Sequence, residues 1–254
     1  MKITLLGTGT SQGVPVIGCN CQVCRSDDPR DKRLRTAAFL QIGSSHILID
    51  AGPDLRQQML RAKVDRLDAI LLTHEHNDHI VGLDDVRPFN FRSRKNMPIY
   101  ATARVQKALK KRFAYAFDED PYPGAPRMDL KEIWAAQDFW VEKVQINPIE
   151  VMHGQLSVLG FRFGPFTYIT DAKTISWEAM EQIKGTEVLV LNALHLKNHH
   201  SHFNLEQALE VAQKIGAKRT YFTHISHLMG RHDVIDVQLP EGFHLAYDGL
   251  EINI

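Results

Sequence analysis

Cysteine is scarce in this chain, and what there is sits in one place. Three cysteines occur in 254 residues, all inside GCNCQVC, from Gly18 to Cys24. Thiols so close in sequence do not close relaxed disulfides. A chain of this length buries roughly 70–75% of its unfolded surface and needs no staples. A disulfide-built secreted scaffold is therefore excluded. Long apolar runs are missing as well, and nothing approaches the roughly 20 residues of a membrane span. The opening MKITLLGTGT runs into glycine before a secretory signal is complete. A cytoplasmic protein with no membrane partner is expected. Basic and acidic residues balance at 30 each, so bulk electrostatics does not draw the chain to polyanions, although a local basic patch is compatible with this. No linker or low-complexity segment divides the chain, which fits one large domain or two small ones packed together.

Strand and helix patterns alternate instead. Runs rich in Ile, Val, Leu, Phe and Tyr, bounded by Gly, Asp or Pro, predict strands at Lys2–Leu6, Ala38–Ile42, His46–Asp50, Ala69–Leu72, Ile99–Tyr100, Val141–Val151, Gly160–Phe163, Thr167–Thr170, Val188–Leu191, Arg219–Phe222 and His244–Ala246. Helices are predicted at Asp54–Ala62, Ala103–Phe113, Ser176–Ile183 and Leu205–Ile215. In the last, Leu205, Ala208, Leu209, Ala212 and Ile215 share a face, and Asn204 is placed to cap it. Interspersed strands and helices imply a layered α/β architecture. Three prolines and a glycine between Asp118 and Asp129 predict a surface loop or lid.

Histidine is abundant where cysteine is not: the chain has 13. The densest stretch is LLTHEHNDHIVGL. His74 and His76 follow a buried strand and, two apart in extended chain, point to the same side. Asp78 and His79 come next, in a turn that opens a helix. This segment can supply two adjacent cations, one through the histidine pair and one through the Asp–His pair. Two neighbouring ions form the clamp that hydrolytic enzymes place on phosphoryl or acyl groups. H-x-H-x-D-H after a buried strand is far more specific than a single H-x-H.

THEHNDH resembles the signature of the metallo-β-lactamase superfamily of metallohydrolases. The resemblance implies an α/β fold, an αββα sandwich with ligands on loops at one edge of two sheets, and a single hydrolase domain over residues 1-254. It implies that His153, in EVMHG, completes the first metal's set with His74 and His76. Asp171, in YITDA, would bridge the two ions, and His224, in YFTHISH, would complete the second set with Asp78, His79 and Asp171. Taken as residues alone, His153 reads as a surface histidine and Asp171 as an N-cap for the helix that follows. Asp50, in LIDAG, would orient a metal-bound histidine and set its tautomer, or else is a turn residue before Gly52.

SHFNLEQA resembles the motif of the tRNA 3′-processing endonucleases and their relatives. That places His202 against the substrate phosphate, where it would protonate the leaving oxygen, with His200 as the alternative if the register slips by two. His195 and His199 are expected to be solvated. His202 and Asp78 are the implied catalytic residues, and two divalent ions, Mn or Zn, are the implied cofactors, with a metal-bridging hydroxide as the nucleophile.

The opening GTGTSQGVPVIGCNCQVC, the late THISH and a length near 250 residues resemble the phosphoribosyl 1,2-cyclic phosphate phosphodiesterases of phosphonate degradation. This implies a small phosphorylated substrate rather than nucleic acid, and a homodimer. Asn192 and Asn204 stand where that family is acidic, and are expected at the substrate-facing edge. The competing readings are a tRNA 3′-processing endonuclease, a thioester or lactam hydrolase of the same superfamily, and a metal-binding protein without turnover. The first would want an inserted basic arm. No Gly-rich insertion is present, and RVQKALKKRFAY reads as the solvated face of an amphipathic helix. C-x-C-x2-C resembles three corners of a tetrahedral zinc site. The resemblance places the fourth corner on His227, so that Cys19, Cys21, Cys24 and His227 would hold one structural zinc.

Overall fold

The structure, a computed structural model, describes all of residues 1–254. Its strands are β1 (Lys2–Gly7), β2 (Ala37–Ile42), β3 (Ser45–Ile49), β4 (Ala69–Leu71), β5 (Met97–Ala101), β6 (Met128–Glu132), β7 (Phe139–Val141), β8 (Val144–His153), β9 (Leu156–Phe163), β10 (Phe166–Ile169), β11 (Val188–Asn192), β12 (Arg219–Thr223), β13 (Phe243–Leu245) and β14 (Leu250–Asn253). The helices are α1 (Leu55–Arg61), α2 (Asn77–Ile80), α3 (Arg87–Ser93), α4 (Ala103–Arg112), α5 (Trp177–Ile183), α6 (Leu205–Ile215) and α7 (His232–Ile235).

Two sheets of seven strands result, ordered β14-β1-β2-β3-β4-β5-β6 and β13-β12-β11-β10-β9-β8-β7. Each is antiparallel on one side and parallel on the other, the change falling at β3 in the first sheet and β10 in the second. The period of two along each strand sorts side chains into three cores. Ile47 and Ile49 of β3 and Val188 and Val190 of β11 face each other's sheet, in one buried cluster with Leu5, Phe161 and Tyr168. Leu48 points the other way, toward Leu55, Met59, Val105 and Leu109 of α1 and α4. Leu189 and Leu191 likewise face Ala179, Ile183, Ala208 and Ala212 of α5 and α6. Helix, sheet, sheet, helix is the αββα order that was expected.

Local chemistry sets the helix ends. Asn204 caps α6 in a reciprocal box with Gln207, and Gly216 closes it at φ 71°. Ser176, not Asp171, caps α5, so Asp171 is free for other work. Two expectations need correction. Val141–Val151 is not one strand but β7 and β8, which form a hairpin turning at Glu142, where φ is 51°. The irregular stretch from Asp118 ends earlier than expected, because Met128 and Asp129 already pair with β5. The basic helix α4 presents the expected solvated face, with Lys107, Lys110 and Lys111 exposed; Arg104 also pairs with Glu75 at 3.0 Å, and Arg112 reaches the Glu75 carbonyl at 3.4 Å.

Candidate metal centres

The strand ends that meet at one edge of the sandwich carry the histidines and aspartates. Asp50 follows β3, Asp171 follows β10 and His224 follows β12, and all three adopt left-handed backbone, with φ of 62°, 58° and 57°. Such conformations disfavour L-residues by roughly 1–2 kcal/mol each, so packing must impose them, and functional sites are where such strain collects. Each turns the chain sharply, so that a side chain at the end of a buried strand faces the neighbouring strand ends. The loop after β3 and helix α2 are also pressed together. A Cβ on Gly52 would lie 2.0 Å from the Asp78 carbonyl oxygen, and one on Gly82 1.9 Å from that of Gly52. Ala51 N–H donates to His79 O at 2.7 Å across the same contact.

The hydrogen-bond network assigns the histidine tautomers. Carboxylates only accept, so the Thr73 hydroxyl donates to Asp50 at 2.9 Å and accepts from His74 Nδ1–H at 2.9 Å. His79 Nδ1–H donates to Asp50 Oδ2 at 2.7 Å. His153 Nδ1–H donates to the Ser201 carbonyl at 2.7 Å. Thr36 gives its hydroxyl hydrogen to Gly9 O at 2.7 Å, so it accepts from His224 Nδ1–H at 3.2 Å. In each of these rings Nε2 is left with a lone pair. His74 Nε2 then lies 2.9 Å from His76 Nδ1. His79 Nε2 lies 3.2 Å from Asp78 Oδ2 and 3.3 Å from Asp171 Oδ2. His224 Nε2 lies 3.3 Å from Asp171 Oδ1, with the Thr10 hydroxyl 3.2 Å away.

Lone pairs facing carboxylate oxygens at these distances repel unless positive charge lies between them. His79 Nε2 is buried with no hydrogen-bond partner. The residues therefore fit divalent cations. The donor atoms of His74, His79 and Asp171, of Asp78, His79 and His224, and of His153, Asp171 and His202 each gather within 4.8 Å. Without metal, a proton serves instead. Burial opposes charging His79, but the carboxylates of Asp171 and Asp50 outweigh it and hold its pKa well above the usual value. Burial likewise opposes ionising Asp171, yet His224, His79 and His74 keep it well below the carboxylate range. Burial holds His74 and His224 neutral. His76 is exposed and His153 and Asp78 are half-buried, so the cluster opens to solvent on that side.

His202 is buried beside this cluster, its Nδ1 3.8 Å from Asp171 Oδ1 and without a hydrogen-bond partner. Its ring centroid is 4.4 Å from that of His153 and 5.0 Å from that of His224. Burial, reinforced by His224, pushes its pKa down to about 2. His200 is exposed. Two expectations about neighbouring residues fail. Asn192 is not at a substrate-facing edge: its wholly buried amide accepts from Ala172 N–H at 2.7 Å and donates to Ala172 O at 2.9 Å. A carboxylate could not make both bonds. Asn204 is the buried cap of α6. His195 and His199, expected to be solvated, are half-buried. Sequence reasoning also missed Thr36 and Thr73, since a hydroxyl far from the motif or beside it carries no pattern of its own.

The second cluster is of another kind. His227 Nδ1 lies 3.3, 3.4 and 3.6 Å from the sulfurs of Cys19, Cys21 and Cys24. Tetrahedral zinc with ordinary Zn–S and Zn–N bonds would separate S and N by about 3.6 Å, so these residues fit it. The thiols are free rather than bridged. Backbone N–H groups of Val16 and Cys24 donate to Cys24 and Cys21 sulfur, each at 3.4 Å. The same loop pairs with the His224 loop through Thr10 N–H to Ile225 O at 3.1 Å and Ile225 N–H to Thr8 O at 2.8 Å.

No helix is long and apolar enough to cross a membrane. A family model described as a beta-lactamase superfamily domain matches residues 45–225. An octanoyltransferase of Porphyromonas gingivalis is 42% identical over 253 residues, covering 99% of this chain and 51% of the relative. The chain thus spans about half the length of that curated relative. A crystal structure of a new diphosphatase from the PhnP family superposes with a TM-score of 0.93 at 40% identity, over 99% of this chain and 96% of that one. Zn(2+)-bound PqqB from Methylobacterium extorquens shares the fold, with a TM-score of 0.82 at 17% identity over the whole of both chains. With that model covering most of the chain and the diphosphatase matching it nearly end to end, the chain belongs to the metallo-β-lactamase superfamily and, within it, to the PhnP family.

Proposed function

We propose that this chain is a metal-dependent hydrolase of small phosphodiesters, with His74, His76, His153, Asp171, Asp78, His79 and His224 holding two divalent ions. The observation that carries this is the buried His79 Nε2, without a hydrogen-bond partner and facing the Asp78 and Asp171 carboxylates, with His224 Nε2 3.3 Å from Asp171 and the His74–His76 pair alongside. Divalent ions there would supply Lewis acidity and neutralise charge on an anionic ester. Histidine and carboxylate donors accept zinc or manganese. The remaining chemistry belongs to the chain. Asp50 and Thr73 hold His79 and His74 in the ligating tautomer. Asp171, ionised although buried, faces both halves of the cluster. His202 is neutral in the free protein; a phosphate anion beside it supplies the missing counter-charge, so the ring can carry a proton and give it to the leaving oxygen. Cys19, Cys21, Cys24 and His227 would hold a separate structural zinc.

The substrate this reading favours is a small cyclic phosphodiester such as a phosphoribosyl 1,2-cyclic phosphate. A second reading, cleavage of a diphosphate P–O–P link, is favoured by the 40% identity to the diphosphatase. Endonucleolytic cleavage of RNA has less support, because basic and acidic residues balance at 30 each and give no bulk attraction to a polyanion. Octanoyl transfer also has less, because all three thiols gather at His227. The test is turnover of bis(p-nitrophenyl) phosphate, a phosphoribosyl 1,2-cyclic phosphate and a nucleoside diphosphate sugar by metal-loaded protein. Hydrolysis of at least one, lost on chelation, is expected; inactivity toward all three with metal bound would overturn the reading.

A further inference from the structure

The segment from Ala193 to His202 reads ALHLKNHHSH and contains no acidic residue. Three of its histidines are not used in the chemistry above. His199 has its ring centroid 5.2 Å from that of His202, 5.8 Å from that of His195 and 4.4 Å from that of His200. These rings continue the row that begins with His153 and His202, outward from the metal cluster. They are not a third metal site, since their nitrogens form none of the groups that converge within 4.8 Å. They are not ordinary surface residues either. His199 and His195 are half-buried, and His195 Nδ1 is fully enclosed without a hydrogen-bond partner. His199 Nδ1 accepts from Ser201 N–H at 3.3 Å, which leaves Nε2–H as a donor in either charge state. Lys173 adds a cation nearby, held by Gln207 Oε1 at 2.8 Å rather than by a carboxylate. Burial, and after it the neighbouring His200, His195, His153 and Lys173, hold His199 below its usual pKa; an anion is the partner this acid-free surrounding lacks.

We infer that His199, with His195, His200 and Lys173, forms a leaving-group subsite that selects phosphoesters whose departing portion carries its own negative charge, such as a phosphate. The assignment rests on the proposed hydrolase reading and gives it direction. His202 protonates the departing oxygen, and His199 is the next ring beyond His202, so the charged portion lies on the leaving side of the scissile bond. In such a reaction water adds across the P–O bond. Its hydroxyl goes to phosphorus, the departing phosphate oxygen takes the proton from His202, and the proton left by water restores His202.

The experiment compares ADP-ribose, whose leaving group bears a phosphate charge, with bis(p-nitrophenyl) phosphate, whose leaving group is uncharged until the bond breaks. Metal-loaded wild type, His199→Ala and His199→Glu are assayed, and the metal content of each is measured. His199→Ala is expected to lower kcat/KM for ADP-ribose by about tenfold or more, as loss of a charge-assisted hydrogen bond does. The fall should lie mostly in KM, should deepen in His199→Glu, and should exceed by several-fold the fall for bis(p-nitrophenyl) phosphate. Equal losses for both substrates, or a glutamate variant no worse than alanine, would overturn the subsite. Wild type that splits the aryl diester but not ADP-ribose also overturns it and leaves the hydrolase reading standing. Wild type that splits neither, with metal bound, overturns both.

Discussion

The two ligand clusters of this molecule are built in opposite ways. The histidine–aspartate cluster grows out of the sandwich: its members stand at the ends of buried strands from both sheets, and three site residues hold left-handed backbone. Its rings are turned by Asp50, Thr73, Thr36 and the Ser201 carbonyl before any ion is considered. The cysteines of the other cluster lie in a loop between β1 and β2 with almost no regular structure, and its histidine, His227, lies in the loop after β12. Cys19, Cys21 and His227 are only half-buried, and besides one another the thiols and the imidazole meet only the backbone N–H groups of Val16 and Cys24. The first site is preorganised by the hydrophobic cores. The second has little besides its own ligands to order it, so a metal there contributes folding energy directly. Removing an ion should therefore abolish chemistry at one site and loosen structure at the other.

The largest break in that contrast is expected from Asp171→Ala. It deletes the carboxylate that faces both halves of the first cluster, leaving buried histidines without their counter-charge. On the proposed reading, hydrolysis should fall to background and two metals per chain should be lost, while the zinc proposed for Cys19, Cys21, Cys24 and His227 should remain; metal analysis and circular dichroism on one preparation check this. His202→Ala comes next. Full metal content with kcat lower by about 10²–10⁴ is the outcome expected of a general acid; unchanged turnover would remove His202 from that role. Thr36→Val is milder. It strips the acceptor from His224 Nδ1–H without touching a proposed ligand, and should weaken metal affinity by about 10–100-fold, read from competition with a chelator. Unaltered affinity would show that His224 is oriented by its backbone alone.

The order of these effects also tracks what could be read from the sequence. The central strands were legible because both their faces are buried, giving short apolar runs such as Val188–Leu191, bounded by Glu187 and Asn192. The β7–β8 hairpin was not, since it turns at Glu142 without the Asn-Gly or Asp-Gly signal. The dense motif from His74 to His79 announced the first cluster because adjacent strand ends need several ligands from one loop. Thr36 and Arg104 stayed hidden: a hydroxyl or an arginine becomes informative only when folding brings it to His224 or Glu75. Asn192 was misread for the same reason, as only the structure shows its amide answering both polar groups of Ala172.

The smallest effect, and the one that most directly separates the clusters, is how the cysteine site takes up zinc as pH changes. Cys21 is lowered to about 6, chiefly by the N–H of Cys24, and Cys24 is raised to about 11, chiefly by burial. Near neutrality Cys21 is thus already a thiolate, while Cys24 keeps its proton until metal displaces it. The sign follows. A proton that must leave makes zinc affinity rise with pH, by about tenfold per unit for each proton displaced. Cys24 contributes one proton to that dependence up to about pH 11, and Cys21 adds another only below about 6. Cys21→Ser should remove one zinc per chain and leave the hydrolytic metals able to bind. Even a fifth of the roughly 10–16 kcal/mol of structural zinc binding would lower the melting temperature by about 5–10 °C at this length. In Cys24→Ser the thiol raised to about 11 is gone, so the pH slope of residual zinc binding between 6 and 8 should flatten by about one proton. If the slope persists, the proton is displaced elsewhere, and the order of thiol titration at this loop is the reverse of that stated.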